Sequence, residues 1–98
     1  MSNSLNIKRA KVRINPYVHT TPVLTNSSLN QLADSNLYFK CENFQRTGSF
    51  KIRGVFNAVL QLSASDIKKG VITVSSGNHG AALSMAISQF GGTANVIS

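Results

Sequence analysis

Apolar residues change their spacing several times along the chain, and each change marks an element. From Phe50 onward, Ile52, Val55, Phe56, Val59, Leu60 and Leu62 recur at three- and four-residue intervals, which predicts a helix with one buried face. Val71 to Ser75 (V-I-T-V-S) is a near-continuous apolar run, the pattern of a buried parallel strand. After a tight loop at Ser76 to Asn78, His79 to Phe90 returns to helical character, with Gly91 and Gly92 as its stop. Ala94 to Ser98 then opens another strand, so this half of the chain reads as a βαβ unit. The first half is more broken. A short helix from Leu5 to Ile14 ends before Pro16, a turn spans His19 to Pro22, and Val23 and Leu24 are extended. Ser27 and Ser28 are candidate caps for a brief helix carrying Leu29 and Leu32, and the β-formers of Leu37 to Cys41 read as a strand. A polar loop from Glu42 to Gly48 leads to Ser49, the expected cap of the helix that follows. The fold class expected is α/β, with helices layered on a parallel sheet. Two strands cannot fill both faces of such a layer, so the sheet is expected to be part of a larger one.

Composition narrows the function classes. With 98 residues, 42% of them hydrophobic, the chain is one small domain at most. Its net charge is +7, yet the basic residues are dispersed: Lys8, Arg9, Lys11 and Arg13 in one segment, then Lys40, Arg46, Lys51, Arg53, Lys68 and Lys69. Aromatics do not interleave with them as a base-stacking platform requires, so no nucleic-acid partner is expected. No apolar run approaches the ~20 residues that span a bilayer, and no membrane partner is expected either. The N-terminus lacks the apolar core of a signal peptide. The single cysteine, Cys41, cannot form an internal disulfide, which fits a reducing, cytoplasmic setting. His19 has no cluster of carboxylates or cysteines around it in sequence and reads as a turn residue, so no metal ligands are assigned.

Two short segments carry the candidate chemistry. S-S-G-N-H-G, from Ser75 to Gly80, joins a strand to a helix, where unpaired first-turn amides favour a carboxylate or phosphate. Ser75, Ser76 and Asn78 add side-chain hydrogen-bonding groups. The dinucleotide fingerprint G-x-G-x-x-G and the G-x-x-x-x-G-K-[ST] loop are both absent from the sequence. T-G-S-F-K-I-R-G, from Thr47 to Gly54, puts Lys51 in the first turn of a helix, where its amine leaves near the exposed end. An amine attacks an aldehyde only while neutral, a state that a positive helix end and partial burial favour. A first-turn lysine is on spacing alone most often a solvated one. An amine, a hydroxyl pair, an amide and an imidazole in two converging segments point instead to one small-molecule site.

The residues around Lys51 carry a family resemblance. K-C-E-N-F-Q-R-T-G-S-F-K-I-R-G (Lys40 to Gly54) resembles the cofactor-lysine segment of fold-type II pyridoxal-phosphate enzymes, specifically the serine racemase and serine/threonine dehydratase branch. H-T-T-P-V-L-T (His19 to Thr25) and V-S-S-G-N-H-G-A-A-L (Val74 to Leu83) match the same branch in the same order. Departures at Val55-Phe56 and Ala81 remove no chemical group from the site. The resemblance implies the N-terminal portion of a tryptophan-synthase-β-like, three-layer αβα fold with a partial parallel sheet. Residues 1–45 would belong to the larger domain, and residues 46–98 would hold the cofactor-lysine helix and the start of a smaller βαβ domain. It implies pyridoxal 5′-phosphate as cofactor, with Lys51 bonded to its aldehyde and removing the substrate α-proton. Phe50 would lie beside the ring and Asn78 would bond the ring oxygen. Ser75, Ser76, Asn78 and His79 would hold the carboxylate of serine or threonine.

Many dehydratases of this family resemble S-A-G-N-H where this chain has S-S-G-N-H. Ser76 would therefore donate the proton opposite the lysine in a racemase that also eliminates water. A plain threonine/serine dehydratase, or a non-catalytic piece that docks on a full-length relative, remain open. Asn26, Ser27, Ser28, Arg46 and Thr47 resemble positions near a nucleotide effector site, which implies possible ATP and Mg effects and a homodimer in the intact enzyme. Family members are much longer, so the chain is expected to be an N-terminal fragment without the phosphate-gripping loop, inactive alone.

Overall fold

The computed structural model describes residues 2–98. Helix α1 (Ser2–Ile14) has no acid in its first turn and ends on Lys11 and Arg13, cations that suit the negative end of a helix. Strand β1 (Val23–Leu24) pairs antiparallel with β2 (Phe39–Lys40), and α2 (Ser27–Ala33) lies between them in sequence. The cap of α2 is Asn26, whose side chain accepts from Leu29 N at 2.9 Å. Neither Ser27 nor Ser28 caps it: they already occupy its first helical positions. The expected strand over Leu37 to Cys41 shrinks to two residues, because only Val23 and Leu24 face it as partners.

A 3-10 turn (Glu42–Phe44) leads to α3 (Lys51–Val59). Ser49 Oγ accepts from Lys51 N at 3.4 Å, but the residue flanking the helix is Phe50, already in helical conformation. Helix α4 (Ala64–Lys69) follows, then β3 (Val71–Val74), α5 (Asn78–Gln89) and β4 (Ala94–Ile97). The last two strands are parallel, Val71 opposite Ala94 and Val74 opposite Ile97, so the βαβ reading holds. Burial of β3 on both faces does not: Val71 and Thr73 are half-buried, while Ile72 and Val74 point outward. Among the described residues, no element packs over Ile72 and Val74 of this two-strand sheet.

The core lies between α3 and α5. Ile52, Val55, Phe56 and Val59 meet Ala82, Ala86 and Ile87, with Ile14 of α1 closing one end. Tyr17 stacks on Phe56 at 5.3 Å between ring centroids, and Phe90 meets Tyr17 at 5.6 Å. Arg46 covers this cluster, its guanidinium 5.5 Å from the Phe56 centroid and its Nη1 donating to Tyr17 O at 2.6 Å. Such packing fixes the two helices against each other, and with them both motifs at their N-termini.

Candidate active site

Lys51 is the first residue of α3 and is exposed. Its amine makes no hydrogen bond or ion pair among the described residues, where the ion pair present is Arg53 with Glu42. A groove of about 660 Å3 opens beside it, bounded by α3 (Lys51, Arg53, Gly54, Val55, Ala58), by β3 (Val71 to Thr73) and by His79 and Leu83 of α5. Phe50 stands at the rim, 64% exposed. The groove therefore joins Phe50, Lys51 and His79, three residues that the sequence reading selected. Ser75, Ser76 and Asn78 are in the adjoining β3–α5 loop and first turn, outside the groove lining.

That loop is built around Ser75. Its Oγ accepts from Gly80 N at 2.9 Å and from Gly77 N at 3.2 Å, which ties the loop to the start of α5. The hydroxyl proton of Ser75 is left for a ligand oxygen, and Ser76 and Asn78 are exposed. Gly80 is required by packing: a Cβ there would stand 2.7 Å from Val96 Cγ1 and 3.3 Å from Ser75 Cβ. The amides of Asn78 and His79, in the first turn of α5, have no helix carbonyl to bond and present positive charge to solvent. Chemically, the arrangement offers an unpaired amine, an aromatic and aliphatic wall, and a polar turn suited to an anion.

A second polar assembly, which sequence patterning missed, is centred on Glu42 and Arg53. Glu42 accepts from Arg53 through both carboxylate oxygens, Nη2 to Oε2 at 3.1 Å and Nε to Oε1. The buried Thr21 hydroxyl also donates to Glu42 Oε2, and Lys40 Nζ donates to Thr21 O at 2.7 Å. Buried Gln45 brackets the backbone of His19, donating to its O at 2.7 Å and accepting from its N at 3.1 Å. The Arg53 guanidinium holds the Glu42 carboxyl well below its ordinary value, at about 2, against the opposing push of burial and with help from Thr21 and Gln45. Glu42 in return raises the affinity of Arg53 for its proton. Partners this far apart in sequence leave no periodic signal; only the pairing of buried polar types with opposite charge hints at them.

Of the residues that the resemblance places near an effector site, Asn26 caps α2, and Arg46 bonds Tyr17 O and, at 3.2 Å, Gln89 Oε1. Thr47 Oγ1 is buried without a partner. No group of three or more His, Cys, Asp or Glu side chains gathers into a metal-binding cluster among the described residues. No helix there is long and apolar enough to cross a membrane.

Comparison with known proteins gives the frame for these features. Residues 14–97 match the family model described as pyridoxal-phosphate dependent enzyme. The chain is 61% identical over 80 residues to a serine racemase of Dictyostelium discoideum, covering 82% of this chain and 25% of that protein. It is 50% identical over 90 residues to a putative threonine dehydratase of Sinorhizobium fredii, covering 92% of this chain and 27% of that one. The solved structure of maize serine racemase superposes with a TM-score of 0.87 at 46% identity, over 92% of this chain and 28% of that chain. The chain thus spans about a quarter of the length of the curated relatives it matches. Its motifs, its parallel βαβ unit and this match over most of its residues agree: the chain belongs to the pyridoxal-phosphate dependent enzyme family.

Proposed function

We propose that this chain supplies the cofactor-lysine and substrate-carboxylate parts of a serine racemase that also dehydrates serine and threonine. The observation that carries the reading is the exposed, unpaired amine of Lys51 in one groove with Phe50 and His79. These residues fit pyridoxal phosphate: an amine for its aldehyde, an aromatic face for its ring, and the Asn78 amide for its ring oxygen. When bound, the cofactor supplies an electron sink for charge developing at the substrate α-carbon. Lys51 Nζ would hold the cofactor, and its amine would serve as the base for the substrate α-proton. Ser75, Ser76, Asn78 and His79 hold the substrate carboxylate, aided by the first amides of α5. Ser76 Oγ returns a proton on the face opposite Lys51, the step that separates racemisation from simple elimination. A cytoplasmic setting agrees with the unpaired Cys41.

The test is a chimera in which residues 14–98 replace the matching segment of the Dictyostelium serine racemase. It is expected to form D-serine and a 2-oxo acid from L-serine, and borohydride reduction should fix the cofactor on Lys51. In the chimera, Ser76→Ala should cut D-serine formation by about tenfold or more while elimination continues. Label on another lysine would overturn the assignment of Lys51. Elimination without D-serine from the unsubstituted chimera would make the protein a dehydratase.

A further inference from the structure

Glu42 is a half-buried carboxylate that the proposed chemistry leaves idle, and its surroundings give it a task. It stands in the turn after β2, and its two oxygens grip the fork of Arg53. Arg53 is the third residue of α3, two positions after Lys51. Both residues border the groove, so the bond that anchors Arg53 fixes the first turn of α3, from which Lys51 enters it. The anchor is itself held from two directions. Thr21 donates to Glu42 from the His19–Pro22 turn, and Lys40 and Gln45 fasten that turn through Thr21 O and the His19 backbone.

The Arg53 guanidinium saturates both carboxylate oxygens, where a lysine in its place would leave one of them open.

We infer that the Glu42–Arg53 pair, braced by Thr21, is the positioning element of Lys51: it fixes the first turn of α3, from which the amine enters the groove. The inference rests on the assignment of Lys51 proposed above, and two readouts on the full chain separate the two ideas. The first is amide hydrogen exchange without cofactor. Gly54 and Val55 close the first turn of α3 and Leu60 closes its last, donating to Phe56 O at 2.9 Å. Glu42→Gln is expected to speed exchange at Gly54 and Val55 by about five- to tenfold relative to Leu60, the loss of one charge-assisted bond. The second is the share of borohydride-fixed pyridoxal phosphate on Lys51 against Lys8, Lys11, Lys68 and Lys69. That share should fall in Glu42→Gln, fall less in Arg53→Lys, and least in Thr21→Val.

A merely structural role would raise exchange along all of α3 equally and leave the Lys51 share in place; either that pattern or unchanged exchange overturns the inference. Should Glu42→Gln fail to fold, Arg53→Lys and Thr21→Val decide by the same two measures. A parent chain whose label never favours Lys51 refutes the proposed function alone, since the exchange result is independent of cofactor.

Discussion

At the scale of single residues, two side chains set the stability of the site from behind. Phe56 is fully buried, stacked on Tyr17 and edge-on to Phe90 at 6.5 Å. Phe56→Ala is expected to cost about 3–5 kcal/mol, a large share of the roughly 5–15 kcal/mol of an ordinary domain; urea titration followed by circular dichroism would measure it. Arg46 loses its ring platform in the same change. Glu42 governs the response to acid. Its carboxyl is depressed from an ordinary 4.5 to about 2, so it stabilises the fold fully above the ordinary value and loses that contribution as pH falls toward 2. The groups facing it are Arg53, Thr21 and Gln45, and Arg53 stays charged throughout this window. The thermal midpoint should therefore decline between about pH 5 and 2. In Glu42→Gln that decline should be shallower; an identical slope would show that other groups govern it.

At the scale of elements, the strand-loop-helix joint carries the site, and its strength is concentrated in Ser75 and Gly80. Gly80→Ala would push a methyl to within 2.7 Å of Val96 Cγ1, so either the Val96 side chain turns or α5 shifts from β4. Overpacking of this kind costs about 1–3 kcal/mol, and the thermal midpoint should drop accordingly. Ser75→Ala removes the acceptor of two amides and should cost about 1 kcal/mol by the same measure. These elements differ in how far the sequence disclosed them. The apolar period of α3 was legible because burial enforces periodicity within one element, and the V-I-T-V run of β3 through its β-branched residues, although Ile72 and Val74 are exposed. Lys51 was legible as a first-turn residue through the period of α3. Helix α4 escaped, although Ser63 accepting from Asp66 N at 3.1 Å is a cap at readable spacing; its six residues are too few to show a period. The cap of α2 was misplaced by one residue because Asn26, Ser27 and Ser28 are all good cap types. The Glu42–Arg53 and Gln45–His19 pairings were hidden, since they join segments 11 and 26 positions apart and follow from folding rather than local pattern.

At the scale of the whole molecule, the core is small for the chain around it. The Cα radius of gyration is 16.4 Å, against roughly 13 Å for a compact domain of about 100 residues. Part of the unmet surface lies on the parallel pair, where Ile72 is 68% and Val74 76% exposed, and Ile97 lies across from Val74. Strands that expose apolar side chains beside an unpaired edge favour association with any similar surface. The chain by itself should therefore associate as its concentration rises, seen as a rising weight-average mass in sedimentation equilibrium. Replacing Ile72 and Val74 together by Thr keeps β-branched residues in the strand and removes much of the apolar surface. Because both side chains already face solvent, the fold should lose only about 0.5 kcal/mol or less at each site. The expected result is a mass that stays near the monomer value across the same range. Unchanged association in the double variant would place the sticky surface elsewhere, with exposed Leu32 and Tyr38 as the next side chains to replace.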